Sequence, residues 1–224
     1  MQSGDDMPDR ARPPLTVLPL FGLAPAAQKS WLADRLARPA PPLAMGMGDG
    51  HRLPGREGPT TPAAVLVPLV NRADGLTLLL TQRSADLPDH PGQISFPGGR
   101  VEPDDVSLAA TAMREAAEEV GLPAACVEVL GHMATYVTVT GFEVTPIVAW
   151  VEPPFDLQLD ATEVADAFEV PLAFLLDPVN QQRHFRMLGE VRRDFWAIPY
   201  GERYIWGATA AMLMMLDRTL RVPD

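Results

Sequence analysis

The chain has 224 residues, 47% of them hydrophobic, which is enough for one packed domain plus an extension. Its 29 acidic and 18 basic residues leave a net charge of −11, which excludes nucleic-acid binding by general electrostatics and repels anionic ligands unless a metal ion or local arginines correct the field. One cysteine, Cys126, excludes an internal disulfide and fits a reducing, cytoplasmic compartment.

Residues 1–58 are rich in proline, glycine and alanine and read as an extension to a domain spanning 59–224. Their start, MQSGDDMPDR, lacks the basic region and apolar core of a signal peptide. No run reaches the roughly 18 apolar residues of a membrane span. Ala26 to Leu36 predicts one short helix anchored by Trp31, with linker or strap around it. On that reading, residues 1–55 are dispensable for a folded domain.

From Thr61, AAVLVPLV (63–70) and LTLLLTQRS (76–84) predict two strands joined by the turn NRADG. Pro68 in the first run marks an edge or a bulge. A loop with Pro88, Pro91 and Gly92 leads to a short strand, QISF, and the pair Gly98–Gly99. A helix follows, capped by Ser107 or Asp105, with Leu108, Ala112, Ala116 and Val120 as its apolar stripe. Gly121 and Pro123 stop it, and Cys126 reads as a small buried strand residue. Two β-rich runs meet at Gly141, and residues 161–177 mix loop, strand and short helix. A hairpin turns at Gly189–Glu190, and a helix from Ile205 to Leu220 closes the chain. The class is α/β, a mixed sheet sandwiched between helices.

The chemistry gathers on the first of these helices. Glu115, Glu118 and Glu119 stand at i, i+3 and i+4, so they share a face, read here as opposite the apolar stripe, and repel one another. A hard divalent cation would offset that repulsion. Mg²⁺ takes oxygen ligands, commonly one or two carboxylates with substrate phosphates. Glycine at 98 and 99 suits backbone that passes close to a metal or phosphate.

Residues 98–122 resemble the Nudix box, G, five residues, E, seven residues, R-E-U-x-E-E-x-G-U, with U apolar. Arg114, Glu115, Ala116, Glu118, Glu119, Gly121 and Leu122 fill its second half without a gap. In the first half the acidic position falls on Asp105, one residue further from Arg114 than the pattern sets, so Arg114 pairs with Asp105 or Glu102. Residues 79–99 resemble the coenzyme A pyrophosphatase branch, LLTxRS then G-Q-x-x-FPGG, through Leu79, Leu80, Thr81, Arg83, Ser84, Gly92, Gln93, Phe96, Pro97, Gly98 and Gly99. Pro88 stands where that branch has an arginine in the spacer.

The resemblance implies a Nudix fold and metal-dependent hydrolysis of a nucleoside diphosphate derivative, coenzyme A or its acyl and oxidised forms. It implies Mg²⁺ or Mn²⁺ held by Glu115 and Glu119, with Glu118 on a second metal or a water, and a further ligand from the Gly98 or Gly99 carbonyl. Arg114 holds the glutamates in place. Arg83 and Ser84 edge the substrate with Gly98 and Gly99. The general base comes from Glu163, Glu169 or Glu143, and Glu163 is preferred because a loop acid can swing towards the attacking water. His90 and His132 read as structural or substrate-adjacent. Tyr136, Phe142, Trp196, Tyr200 and Trp206 read as core or as an adenine-stacking wall. ADP-ribose, a dinucleoside polyphosphate and a nucleoside triphosphate are the alternative substrates. The partner is a small nucleotide, not nucleic acid or membrane. The molecule is a monomer or a homodimer, the latter compatible with the aromatic and methionine content near the C terminus.

Overall fold

The computed structural model describes residues 18–38, 58–188 and 191–222. In chain order the elements begin with α1 (Pro25–Leu36), β1 (Thr61–Arg72), β2 (Gly75–Arg83), β3 (Ile94–Ser95), β4 (Gly98–Arg100) and α2 (Leu108–Val120). There follow β5 (Val127–His132), β6 (Tyr136–Val137), β7 (Phe142–Val151), β8 (Val164–Pro171) and α3 (Leu172–Leu175). The chain ends with β9 (Gln182–Leu188), β10 (Val191–Tyr200), β11 (Arg203–Trp206) and α4 (Gly207–Leu220).

β1 is apolar on both faces, so a layer must cover each. It runs parallel to β7, with Thr61 opposite Phe142 and Val70 opposite Val151. Its other edge is shared: β4 pairs antiparallel with residues 63–65, and β2 with residues 69–72. Pro68 therefore lies in a central strand and not at an edge. It is tolerated because it falls in the gap between those two ladders.

Alternation along the strands sorts the core into two sides. Ala64, Leu66, Val70, Leu79 and Ile147 face α2, where Ala112, Ala116 and Val120 meet them. Val67, Leu69, Leu78, Leu80 and Trp150 face the other way, against α1 and α4. The small alanines bring α2 close to the sheet, and that closeness sets the site. A second sheet, β11–β10–β9, is antiparallel throughout and contacts α4. Its β9–β10 turn, Gly189–Glu190, lies outside the described residues.

Several sequence expectations change. Leu108 is 38% exposed and does not extend the stripe of α2. Cys126 sits in a 3-10 turn, half-buried, instead of in a strand. Ile205 and Trp206 belong to β11, and α4 begins only at Gly207. The methionines of α4, Met212, Met214 and Met215, are core residues and not a surface for a second copy. The helix expected at Ala26–Leu36 spans Pro25–Leu36, and its anchors are Leu32 and Leu36, while Trp31 is only partly buried. Leu20 and Leu32 are completely buried in the main core, so this part of the N-terminal region is integral to the packing.

Candidate active site

The helix that carries the carboxylates is fixed at both ends. Ser107 caps the start, its hydroxyl accepting the Ala110 amide at 3.1 Å. At the other end Gly121 adopts φ +65°, and the Gly121 and Leu122 amides donate back to the Ala117 and Ala116 carbonyls. A Cβ at 121 would also meet Gln158, whose amide bonds the Val120 carbonyl.

Asp105, and not Glu102, is the partner of Arg114. Asp105 takes Nε of Arg114 at 3.1 Å and Nη2 at 3.0 Å, whereas Glu102 approaches no closer than 4.0 Å. The Glu102 amide and the Thr111 hydroxyl hold the same carboxylate at 2.9 and 2.8 Å. The guanidinium, followed by the Glu102 amide, holds Asp105 well below the usual carboxylate range, and Asp105 raises Arg114 above its ordinary value. The remaining Arg114 nitrogen, Nη1, reaches Glu115 at 3.1 Å and Glu118 at 3.0 Å.

The three glutamates do not share one exposed face. Glu118 is exposed and Glu115 half-buried, but Glu119 is only 5% exposed. Glu119 lies seven residues after Ala112, two helical turns, so it falls on the sheet-facing stripe itself. Its Oε2 accepts the Gly98 amide at 3.2 Å. Burial pushes its carboxyl up to about 8, against the Gly98 bond, and the neighbouring charges of Glu115 and Glu163 push it the same way, while Arg83 draws it down. Burial also raises Glu115, opposed by Arg114 and reinforced by Glu118 and Glu163.

The glycine pair makes this approach possible. A Cβ at 99 would stand 2.3 Å from Oε1 of Glu115, and a Cβ at 98 would stand 2.5 Å from the Ala64 carbonyl oxygen. Buried Glu119 and half-buried Glu115 are thus pressed against strand backbone. Among the described residues, no three His, Cys, Asp or Glu side chains form a ready-made metal cage. The donors are nonetheless all hard oxygens, and buried Glu119, which has no ion pair among the described residues, would gain a partner from a cation. The set fits Mg²⁺ or Mn²⁺ completed by substrate oxygens.

The segment 79–93 supplies the opposite wall. Residues 79, 81 and 83 of β2 face the α2 side, which brings Arg83 towards Glu119. Nε of Arg83 is buried with no hydrogen-bond partner among the described residues, an orphan donor that an anion would satisfy. Ser84 is buried. Its amide donates to the Glu163 carbonyl at 2.8 Å, and its hydroxyl accepts the Asp86 amide at 3.4 Å. Asp160 accepts the Glu163 amide and donates its own to the Glu119 carbonyl, both through the backbone. Strand β2 and helix α2 thereby position exposed Glu163 beside Glu115 and Glu119.

The other acids are placed elsewhere. Glu169 is held by Arg72 at 2.6 Å and by Thr77, at the far end of β2. Exposed Glu143 accepts the Thr60 hydroxyl at 2.7 Å. Nδ1 of His132 lies 3.2 Å from the Met133 carbonyl, and exposed His90 takes the left-handed conformation at φ 57°. Tyr136 is buried and Tyr200 packs edge-on against Phe174, so both are core aromatics.

A family model described as the NUDIX domain matches residues 60–189. The chain belongs to the Nudix hydrolase family. The uncharacterized Nudix hydrolase NudL of Yersinia enterocolitica is 41% identical over 163 residues, 71% of this chain and 82% of the relative. NudL of Citrobacter koseri is 43% identical over 159 residues, 69% and 80% of the two chains. Among solved structures, a Caenorhabditis elegans Ap4A hydrolase is 26% identical, covers 49% of this chain and 80% of its own, and gives a TM-score of 0.43. This is therefore a pyrophosphohydrolase of the Nudix type, whose members generally use divalent ions such as Mg²⁺ or Mn²⁺ and act on small nucleotide substrates. Among the described residues, no helix is long and apolar enough to cross a membrane.

Proposed function

We propose that this Nudix hydrolase splits the diphosphate of coenzyme A or its derivatives, giving 4′-phosphopantetheine (or its acyl form) and adenosine 3′,5′-bisphosphate. The observation that carries the reading is the position of Arg83. The segment LLTQRS…GQISFPGG resembles the coenzyme A branch, and its arginine brings an unpaired buried N–H to the carboxylate wall where a diphosphate would lie. Arginine is suited to phosphate because its planar fork matches two oxygens.

In this reading Glu115 and Glu119 hold Mg²⁺ or Mn²⁺, with exposed Glu118 beside them for a second ion or a water. Such an ion polarises the phosphorus–oxygen bonds and acidifies water. Arg114 does not touch substrate. It fixes Glu115 and Glu118 while Asp105 fixes Arg114. Gly98 and Gly99 keep the strand backbone free for substrate oxygens. Ser84 positions Glu163, which accepts a proton from the attacking water as general base. The cut separates two phosphoryl groups, and the proton and hydroxyl of one water end on the two products.

Pro88 supports a second reading, a Nudix hydrolase of another nucleoside diphosphate derivative such as ADP-ribose. It is exposed on the loop after β2, where the branch has an arginine. A panel of coenzyme A, acetyl coenzyme A, ADP-ribose, a diadenosine polyphosphate and a nucleoside triphosphate, with Mg²⁺ or Mn²⁺, decides between them. Release of 4′-phosphopantetheine from coenzyme A is expected. Cleavage of ADP-ribose or a polyphosphate instead overturns the coenzyme A assignment. The cytoplasmic location and a monomeric or dimeric state belong to the same proposal.

A further inference from the structure

On the other face of β2 from Arg83 lies a cavity of about 420 Å³, of the size that takes small ligands. Gln82, Gly92, Gln93 and Ile94 form one wall, and Tyr204 and Trp206 of β11 form the other. Tyr204 and Trp206 are two residues apart, so they share one face of the strand, while Ile205 between them is completely buried in the core. Tyr204 is 44% exposed, so part of its ring is open on the cavity side.

The polar side chains of the first wall, Gln82 and Gln93, are amides. Gln93 uses its backbone, donating to the His90 carbonyl and accepting from the Arg83 amide, but its side-chain amide has no protein partner among the described residues. Gln82 makes only a long contact, 3.4 Å, to the Gly92 carbonyl. Of the lining residues the one cation, Arg203, is taken by Asp166 at 2.5 Å and stacks 3.6 Å over Phe168; Arg186 stands 5.8 Å from the Trp206 ring without lining the cavity, and Glu202 adds a negative charge to the rim. A phosphate is therefore disfavoured here. A flat neutral heterocycle with both donors and acceptors on its edge is favoured, because aromatic rings stack on its face and glutamine amides pair with adenine through one donor and one acceptor.

We infer that the cavity walled by Gln82, Gln93, Tyr204 and Trp206 holds the adenine ring of the nucleotide substrate. The inference rests on the proposed reading for the substrate class. Gln82 and Arg83 are consecutive residues on opposite faces of β2, and the Arg83 amide donates to the Gln93 carbonyl at 2.9 Å. A nucleotide with its diphosphate at Arg83 and its base in the cavity thus bends round the loop end of the β2–β3 hairpin. The exposed ring of Tyr204 also makes a substitution there safe for the fold.

The test compares adenosine 5′-monophosphate with ribose 5-phosphate, titrated calorimetrically into the full chain, and repeats both in Tyr204→Ala and Gln93→Ala. Adenosine 5′-monophosphate is expected to bind at least tenfold more tightly than ribose 5-phosphate, and each variant is expected to remove most of that advantage while leaving ribose 5-phosphate binding unchanged. The KM for coenzyme A is expected to rise about tenfold in both variants with kcat nearly constant. Equal affinity for the two probes, or an advantage that survives both substitutions, overturns the adenine assignment. Coenzyme A turnover with unchanged KM in the variants overturns it too, and leaves the proposed activity standing. Loss of the advantage in the variants of an enzyme that does not cleave coenzyme A supports the cavity and sinks the coenzyme A reading instead.

Discussion

Asp105 holds Arg114 by two parallel contacts, 3.1 Å to Nε and 3.0 Å to Nη2, and so decides where Glu115 and Glu118 stand. Loss of such a supporting residue typically costs 10- to 100-fold in metal affinity or activity. Asp105→Asn is expected to lower kcat about 10- to 100-fold at saturating metal and to raise the Mg²⁺ concentration needed for half activity. Glu102→Gln, 4.0 Å away, is expected to change neither. Metal-dependence curves of the two variants check this, and equal losses would mean that the acidic loop acts only through its summed charge.

The two glycines should fail differently. At residue 98 a side chain meets fixed backbone, the Ala64 oxygen at 2.5 Å and Val65 Cα at 2.6 Å, and φ is +154°. At residue 99 the nearest atoms it meets are the movable end of Glu115. Gly98→Ala is therefore expected to destabilise the fold strongly. Gly99→Ala is expected to keep the melting temperature within a few degrees while activity drops by at least an order of magnitude. Melting curves beside initial rates separate the two.

Much of this was legible because local rules set it. The Ser107 cap, the Gly121 stop and the order of strands around α2 follow from nearest-neighbour chemistry, and the box residues named their own helix. The burial of Glu119 was legible in principle from its seven-residue spacing to Ala112, but three carboxylates read together as a polar face. Whether Asp105 or Glu102 holds Arg114 depended on loop geometry. So did the positions of Glu163 and Glu169, which the pairing of β2 with β8 sets at opposite ends of β2. Tyr204 and Gln82 carry no motif, and they meet only because β11 packs over β3. The N-terminal helix looked peripheral because its composition is loop-like, yet Leu32 is fully buried.

That helix yields the third prediction. Leu20, Leu32 and Leu36 join the main core, and Leu36 lies so near Gly131 that a Cβ there would be 2.9 Å from the Leu36 Cβ. Leu32→Ala is expected to cost about 2–5 kcal/mol, the usual range for a buried leucine. Deleting residues 1–55 removes all three side chains together and is expected to give an insoluble or molten chain. Denaturant unfolding of the point variant and solubility of the truncation check this. A soluble, active truncation would mean that the helix is only a strap.

Glu163→Gln removes the proposed base without altering Glu115 or Glu119. It is expected to lower kcat by at least 100-fold, within the range for general-base loss, with Mg²⁺ affinity little changed. Glu169→Gln is expected to leave kcat unchanged and to cost stability, since Arg72 and Thr77 lose their charged partner. Rates and melting temperatures on the pair distinguish base from brace, and the opposite pattern would move the base to β8.

Glu119 links charge, metal and stability. Burial pushes its carboxyl up to about 8 from an ordinary 4.5, so between those pH values the folded state holds a proton that the unfolded state has lost. Stability from this group is fully present below about pH 4.5 and declines as pH rises through 8. The metal-free protein is therefore expected to lose melting temperature between pH 5.5 and 8.5, and Glu119→Gln to flatten that slope. Adding Mg²⁺ should stabilise the wild type most at the alkaline end, because binding requires the deprotonated carboxylate and releases its proton. The same variant should lose turnover by several orders of magnitude while remaining folded, since a neutral amide in this pocket relieves the repulsion that the cation otherwise offsets. Melting curves across pH, with and without Mg²⁺, read all of this, and a slope that persists unchanged in Glu119→Gln would assign the titration to another group.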